Sequence, residues 1–382
     1  MSIAPRTHRF FISTLVVFVS SAHVTHAQPF EFLEATIADV HQAFDSGELT
    51  CRELTSKYLD RIQAYDAVGP TLNSIEIVNP AALQEAEALD VQFSRSGLLG
   101  PLHCIPVLLK DQVETRDMPT TYGSAVFKSF LTSRDATIVS RLRTAGALIL
   151  AKTTMGEFAS RYVGSGFGVI RNAYDPTRNP SGSSGGTGAG IAANFGMVGI
   201  GEDTGGSIRG PAAVHSLVGL RPTVPLVSRH GMMPANPSSD TLGPMTRNVT
   251  DAAILLHVLA GYDVNDPLTA YAIDHVPDSY TAALSRDGLQ GARIGIIRAP
   301  MDPNTDPTSA DYQKVRAVID QAFRDLQDLG AILIDPVSFA HLDTIEDTYS
   351  GNIYETEEAT DAYLAEHEYP PVTTLREILL SG

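Results

Sequence analysis

The chain has 382 residues, of which 43% are hydrophobic and 19% charged, and its formal net charge is −17. A chain of this length and apolar content can bury a large core, which excludes an intrinsically disordered protein. The acidic balance argues against nucleic acid and against an anionic membrane surface as the main partner.

The first residues have the form of a secretory signal peptide. Arg6 and Arg9 make a basic start, the apolar run Phe10–Val19 follows, and small residues precede a cleavage point after position 27. The apolar run is shorter than the ~20 residues of a membrane-spanning helix, so we expect no stable membrane span. We expect export, with residues 1–27 removed and residues 28–382 forming one domain.

Only two cysteines are present, Cys51 and Cys104, and neither lies in a CxxC or metal-binding spacing. Export permits a disulfide, yet two cysteines in a chain of this length are not the disulfide framework of a small secreted domain. We therefore interpret both as small, buried, apolar residues.

Helices and short apolar strands are predicted in the first part of the exported chain. Thr36–Asp39 and Thr50–Glu53 both have the form of a capping box, which predicts the start of a helix. Asn79–Pro80 predicts a third helix with proline at its first position. The run Ile105–Leu109 then predicts a buried strand that ends on Lys110.

Two later segments repeat a unit of helix, glycine cap and strand. They are residues 135–151, with Gly146 at the cap, and residues 315–334, with Gly330 at the cap. Residues 293–297 form one more short apolar strand. Helices that alternate with such strands predict an α/β fold whose sheet is covered on both faces.

Glycine and serine cluster twice within Asn179–Thr223, on either side of an apolar run long enough for one helix and one strand. Met197–Gly201 predicts a strand that carries Asp203–Ser207 at its C-terminal end, where α/β sheets place their sites. The glycines of that segment allow successive backbone N–H groups to point to one place, as an oxyanion hole requires. Ser207 is therefore the candidate nucleophile, and it needs a base.

Lys110 is the candidate base, because it ends a strongly apolar strand. A lysine with the ordinary pKa of ~10.4 is protonated at neutral pH, so a lysine base has to be desolvated or tuned by its neighbours. The alternative is a strand-end lysine that forms an ion pair with Asp111, and the residues alone leave both interpretations open.

Two further patterns occur in the first glycine cluster. Gly182–Gly186 matches the GxSxG nucleophile elbow and makes Ser184 a second candidate nucleophile, while Gly188–Ala193 fits a loose dinucleotide-binding pattern. Both patterns require a preceding strand, but Ala173–Ser181 is polar and contains two prolines. We interpret both as chance matches.

The ordered motifs of the chain closely resemble those of the amidase signature family, and they cover nearly the whole of the exported chain. They are GPLHCIPVLLKD at 100–111, AKTTMGEFA at 151–159, PSGSSGG at 180–186, GEDTGGSIRGPAA at 201–213, GLRPT at 219–223 and DTLGPMTRNVTDAAILL at 240–256. The resemblance implies a three-layer α/β/α sandwich with a large mixed central sheet.

The resemblance also implies a Ser-cisSer-Lys triad, with Ser207 as nucleophile, Ser183 as the bridging cis-serine and Lys110 as base. Asp203 and Arg209 match a structural pair that braces the loop. Ser184 is then a neighbouring hydroxyl, and the backbone N–H groups that form the oxyanion hole are those of Thr204, Gly205, Gly206 and Ser207.

The implied activity is hydrolysis of a small-molecule carboxylic acid amide through an acyl-enzyme, without metal or cofactor. Two alternatives are an amidotransferase A-type subunit, which works with tRNA-handling partners, and an α/β-hydrolase-like esterase that uses Ser184. The export signal and the acidic balance argue against the amidotransferase. The sequence identifies no particular amide, and it leaves a homodimer open.

The sequence departs from the family pattern at a few places, among them Gln112, where asparagine is commoner. Cys104 stands where the family usually has glycine. Thr374–Glu377 begins a last helix shortly before Gly382, whereas family members generally run on further, so we expect a C-terminally incomplete domain.

Overall fold

The structure is a computed structural model that describes Met1 and residues 30–298, 306–341 and 352–381. The predicted signal peptide, apart from Met1, lies outside the described residues. Within them, no helix has both the length and the apolar character needed to cross a membrane.

A six-stranded mixed sheet forms the centre of the fold. In chain order its strands are β1 Ile75–Val78, β2 Pro106–Lys110, β3 Leu148–Thr153, β6 Val198–Glu202, β7 Val218–Gly219 and β8 Leu242–Thr246. They lie in the order β1–β3–β2–β6–β8–β7. The central strands β3, β2 and β6 are parallel, while β1, β8 and β7 are antiparallel to their neighbours.

Four short strands lie outside this sheet and pair in twos. They are β4 Val163–Gly164 with β5 Gly168–Val169, which are antiparallel, and β9 Arg293–Gly295 with β10 Ile332–Ile334, which are parallel. The strands predicted near residues 293 and 331 therefore exist, but they form a separate sheet.

The α-helices of the described residues connect and cover the strands. Their bounds are α1 Ile37–Ser46, α2 Cys51–Tyr65, α3 Ala82–Ser96, α4 Thr137–Thr144, α5 Gly185–Ala192, α6 Arg209–Val214, α7 Val249–Leu259, α8 Ala310–Asp328, α9 Thr356–Ala365 and α10 Leu375–Leu380. Helix α5 packs on β1, β2, β3, β6 and β8, whereas α3 and α4 pack on β3 and α7 packs on β8. Every residue of β2, β3 and β6 is buried, which requires cover on both faces of the sheet. The prediction of a mixed α/β fold is confirmed.

The predicted capping boxes at Thr36 and Thr50 are both present and begin α1 and α2. Helix α3 begins at Ala82 rather than at Pro80, because the side chain of Asn79 accepts a hydrogen bond from Ala81 N (2.8 Å) and forms a turn there. Gly146 (φ 90°) follows α4 and Gly330 (φ 91°) follows α8, as predicted for glycine caps.

The two cysteines form a disulfide, Cys51–Cys104, so their interpretation as unpaired apolar residues is wrong. Both are buried, as expected. Cys51 is the first residue of α2, and Cys104 precedes β2 with a φ of 58°, in the region that favours glycine. The pair is separated by 53 positions, and tertiary packing rather than local spacing brings the sulfur atoms together.

Candidate active site

Strand β2 ends on Lys110, whose side chain is completely buried. Its Nζ lies 2.7 Å from Ser183 Oγ, 3.1 Å from the carbonyl oxygen of Glu202 and 2.6 Å from Glu202 Oε2. Asp111 faces elsewhere and forms an ion pair with Lys152 at 3.3 Å. The alternative pairing of Lys110 with Asp111 is therefore wrong, and the buried partner of Lys110 is Glu202.

Ser183 lies in the turn that leads into α5, and the peptide bond between Gly182 and Ser183 is cis. A Cβ atom added at Gly182 would collide with the carbonyl oxygen of Arg161, so a side chain does not fit at this position. The turn holds the buried Ser183 hydroxyl against Lys110.

The carboxylate of Asp203 organises the second glycine turn. It accepts hydrogen bonds from the backbone N–H groups of Gly206 (2.6 Å), Ile208 (3.0 Å) and Arg209 (3.3 Å). The guanidinium groups of Arg209 (3.1 Å) and Arg221 (3.3 Å) form ion pairs with it. Burial opposes this charge, but the bonds from Arg209 and the backbone outweigh burial and lower the pKa of Asp203. Arg221 is a partner that sequence reasoning missed.

Ser207 is half-buried in this turn, and its carbonyl oxygen accepts a hydrogen bond from Ser184 N (3.3 Å), which joins the two glycine turns. Within the described part of the chain, no hydrogen bond links the Ser207 hydroxyl to Ser183. The N–H group of Gly206 already donates to Asp203. The remaining predicted oxyanion donors, the N–H groups of Thr204, Gly205 and Ser207, have no acceptor among the described residues.

The Ser184 hydroxyl is completely buried and is bonded to the backbone of β6. It donates to the carbonyl oxygen of Glu202 (3.1 Å) and accepts from Glu202 N (3.3 Å). Both hydrogen bonds fix the first turn to the end of the strand. This geometry fits a neighbouring structural hydroxyl and argues against Ser184 as a nucleophile.

Sequence reasoning missed a set of acidic and hydroxyl groups behind Lys110. The hydroxyl of Thr204 lies 2.8 Å from Glu202 Oε1 and 2.6 Å from Asp240 Oδ1. Glu202 and Asp240 are both completely buried. Burial, and then the nearby charge of Glu202, raise the pKa of Asp240 to about 7. The available signal was an acidic residue, Glu202, directly after a strand predicted to be buried.

No group of three or more His, Cys, Asp or Glu side chains with metal-binding geometry occurs in the described ranges. The side chains and backbone groups of the site described above are a lysine, hydroxyls, carboxyls and backbone N–H groups.

Comparison with known proteins places the chain in a family. The model of the family described as Amidase matches residues 53–378. The chain belongs to the amidase (amidase signature) family. Among solved structures, it is similar to native peptide amidase from Stenotrophomonas maltophilia, with a TM-score of 0.84 and 38% identity over 92% of this chain and 72% of that one. The A-type subunit of glutamyl-tRNA(Gln) amidotransferase from Thermotoga maritima gives a TM-score of 0.71 at 27% identity, over 87% of this chain and 67% of that one.

Curated amidase-family relatives include both amidases and amidotransferase subunits. The A-type subunit of the glutamyl-tRNA(Gln) amidotransferase of Acidothermus cellulolyticus is 41% identical over 79% of this chain, and a probable amidase of Arabidopsis thaliana is 34% identical over 94% of it. The chain spans 58% of the length of the first of these proteins and 70% of the second.

Proposed function

We propose that this chain carries the reacting groups of a hydrolase that acts on linear carboxylic acid amides. The observation that carries the proposal is the buried 2.7 Å contact between Lys110 Nζ and Ser183 Oγ, beside the turn that presents Ser207. A lysine can act as a base only when it is neutral, and in this site its neighbour Ser183 is the group from which it would take a proton.

In the proposed reaction, neutral Lys110 takes the proton of the Ser183 hydroxyl while Ser183 takes the proton of Ser207. The Ser207 oxygen attacks the amide carbonyl, and an acyl-enzyme forms as the C–N bond breaks. Ser183 donates one proton to the leaving amine, and Lys110 returns its proton to Ser183. A water molecule then attacks the acyl carbonyl and breaks the ester bond, which releases the carboxylic acid and restores the Ser207 hydroxyl. The N–H groups of Thr204, Gly205 and Ser207 are available to donate hydrogen bonds to the oxyanion. Each such donor lowers the activation free energy by ~3 kcal/mol in sites of this kind.

The test is labelling with a fluorophosphonate together with turnover of a panel of amides of increasing acyl length. We expect labelling at Ser207, loss of both labelling and hydrolysis in Ser207→Ala by a factor of at least ~10³, and unchanged behaviour in Ser285→Ala, a control at an exposed serine. An adduct on Ser184, or one that persists in Ser207→Ala, would overturn the assignment.

An amidotransferase A-type subunit is the second candidate function, and the 41% identity to such a protein favours it. The net charge of −17 weighs against a tRNA-handling assembly. Hydrolysis of simple amides by the isolated chain supports the amidase. Ammonia release from glutamine that requires added partner proteins would support the amidotransferase instead.

We further propose that the protein is exported, with cleavage near Ala27. The Cys51–Cys104 disulfide supports this proposal, since disulfides persist in oxidising compartments. N-terminal sequencing of the secreted protein should give Gln28 as the first residue. A secreted protein that retains residues 1–27 would contradict cleavage.

A further inference from the structure

Lys110 has a partner that its proposed role as a base has to accommodate. The Glu202 carboxyl lies 2.6 Å from Lys110 Nζ, and both side chains are completely buried. A carboxylate at this distance stabilises the protonated amine, which cannot take a proton from Ser183. The site therefore needs a way to move that negative charge away from Lys110.

We propose, on the basis of the proposed amide hydrolysis, that Glu202, Thr204 and Asp240 form a proton-holding chain that switches Lys110 between its charged and its neutral form. Glu202 and Asp240 act through Lys110 and do not contact the reacting atoms, so both are positioning residues.

The geometry of Thr204 requires a proton on one of the two carboxyls. A hydroxyl carries one hydrogen and can donate it to one acceptor. The Thr204 hydroxyl nevertheless lies 2.8 Å from Glu202 Oε1 and 2.6 Å from Asp240 Oδ1. Both contacts are hydrogen bonds only if one carboxyl is itself a donor. Asp240 Oδ2 accepts from the N–H groups of Ala235 and Asn236, each at 2.8 Å, which leaves Oδ1 to carry the proton.

In the first state of the chain, Asp240 is protonated and donates to Thr204, and Thr204 donates to the carboxylate of Glu202. Glu202 in turn accepts from the charged amine of Lys110. Every short contact in the cluster is then a hydrogen bond, and Lys110 is unable to act as a base. Burial and the Glu202 charge raise the pKa of Asp240 to about 7, which agrees with a neutral Asp240 below that pH.

In the second state, the hydrogens have moved one place along the chain. The Asp240 O–H bond breaks as a new Thr204 O–H bond forms, and the former Thr204 hydrogen forms an O–H bond with Glu202 Oε1. The negative charge now lies on Asp240, and the side chains of Thr204 and Glu202 separate it from the amine of Lys110. Lys110 then releases one proton through the hydroxyls of Ser183 and Ser207 to solvent, and its lone pair faces Ser183.

The other charged or titratable groups near the proton-holding chain already have hydrogen-bond or ion-pair partners of their own. Tyr122 donates to the carbonyl oxygen of Pro234 at 2.8 Å, and burial, then the charges of Glu202 and Asp240, raise its pKa well above the usual range. Asp203, next to Glu202, is paired with two arginines. The changes of charge are therefore confined to Lys110, Glu202 and Asp240, while Thr204 passes a hydrogen on and stays neutral.

Two isosteric substitutions should shift the pH dependence of kcat/KM in opposite directions. Glu202→Gln places an amide N–H group towards Thr204 and mimics the second state, so the part of the profile in which kcat/KM rises with pH should move to lower pH. In Asp240→Asn, the amide N–H group donates permanently to Thr204 and mimics the first state. The rising part of the profile should then move to higher pH. Each shift should be about 1 pH unit or more, a tenfold change in activity on the limb.

Two further variants test whether the effect of Asp240 on Lys110 depends on the hydrogen bonds of Thr204. Thr204→Val removes the hydroxyl link, so adding Asp240→Asn to it should cause no further shift. Asp251→Asn neutralises a buried carboxyl outside the site and should leave the pH profile unchanged. Shifts of Glu202→Gln and Asp240→Asn in the same direction, or lower rates without any shift, would overturn the proposal.

A readout that does not depend on turnover separates this inference from the proposed function. In the Ser207→Ala background, infrared difference spectra should show a protonated carboxyl that titrates near neutral pH and is missing after Asp240→Asn. If the protein hydrolyses no amide but shows this signal, the proposed function is contradicted and the proton-holding chain is supported. If the signal is absent below neutral pH, the proton-holding chain is contradicted, whatever the activity of the protein.

Discussion

At the scale of single residues, Gly182 determines where the Ser183 hydroxyl can lie. A Cβ atom at position 182 would overlap the carbonyl oxygen of Arg161, which belongs to the backbone and cannot rotate away. Gly205 in the second turn is different, since no atom lies within 4 Å of an added Cβ. The two glycines therefore offer a matched pair for testing the first turn.

We expect Gly182→Ala to lower the free energy of unfolding by about 1–3 kcal/mol, because the backbone has to move to relieve the overlap. Gly205→Ala should change it by less than about 0.5 kcal/mol. Urea unfolding of the two variants measures the difference. Equal stability of Gly182→Ala and the wild type would show that the 161–182 contact is looser than described.

At the scale of elements, the Cys51–Cys104 disulfide fixes the start of α2 to the segment that enters β2. The strand carries Lys110 at its other end, and α2 contributes buried residues such as Leu54 and Tyr58 to the core. A crosslink that closes a loop of this length restricts the unfolded chain more than the folded one.

Reduction of the disulfide should destabilise the protein by about 2–4 kcal/mol. The double variant Cys51→Ala/Cys104→Ala should show the same loss without reductant and no further loss with it. Thermal unfolding with and without dithiothreitol checks both expectations. A wild-type transition that reductant leaves unchanged would contradict a stabilising crosslink.

At the scale of the whole molecule, Glu114 connects helix α9 and the residues that follow it to the segment after β2. Its buried carboxylate accepts a hydrogen bond from Tyr363 Oη (2.6 Å) and forms an ion pair with Arg134, and His367 Nε2 lies 3.0 Å from it. Arg134 also pairs with Glu366 at 2.7 Å. Burial opposes the charge of Glu114, but His367, Arg134 and Tyr363 outweigh it and lower its pKa from 4.5 to about 2.

This lowered pKa predicts how stability depends on pH. The contribution of Glu114 is fully present above pH 4.5 and is lost as the pH falls towards 2, since the folded state then has to take up a proton. The loss is on the order of 3 kcal/mol. In Glu114→Gln, the free energy of unfolding should depend less steeply on pH over this range than in the wild type. Glu48→Gln, at an exposed position, should keep the wild-type pH dependence. Identical slopes for wild type and Glu114→Gln would contradict the expectation.

The motifs were sufficient to predict the mixed sheet, the family and the segments that meet at the site. They did not predict which side chain pairs with Lys110. That pairing depends on the parallel register of β2 and β6, in which Leu109 lies opposite Ile200 and both strands end at the same edge. The partner Glu202 and the link to Asp240 follow from this register, which a single sequence does not encode locally.

The position of helix α8 shows the same limit. Its apolar residues recur at helical spacing, and the helix forms as predicted, yet none of its residues is buried, and Val315 and Val318 are 59% and 71% exposed. Periodicity predicts that a face is apolar, but the element that covers it is determined by the rest of the fold.

The Cys51–Cys104 bond also affects how damage to the protein is detected. Leu98 and Leu99 lie in an exposed segment between the two cysteines, after α3. A protease that cuts there breaks the polypeptide but leaves the two fragments joined through sulfur. Such a nicked molecule runs as one band on a gel without reductant and separates only when the crosslink is opened, so the integrity of a preparation has to be judged under reducing conditions.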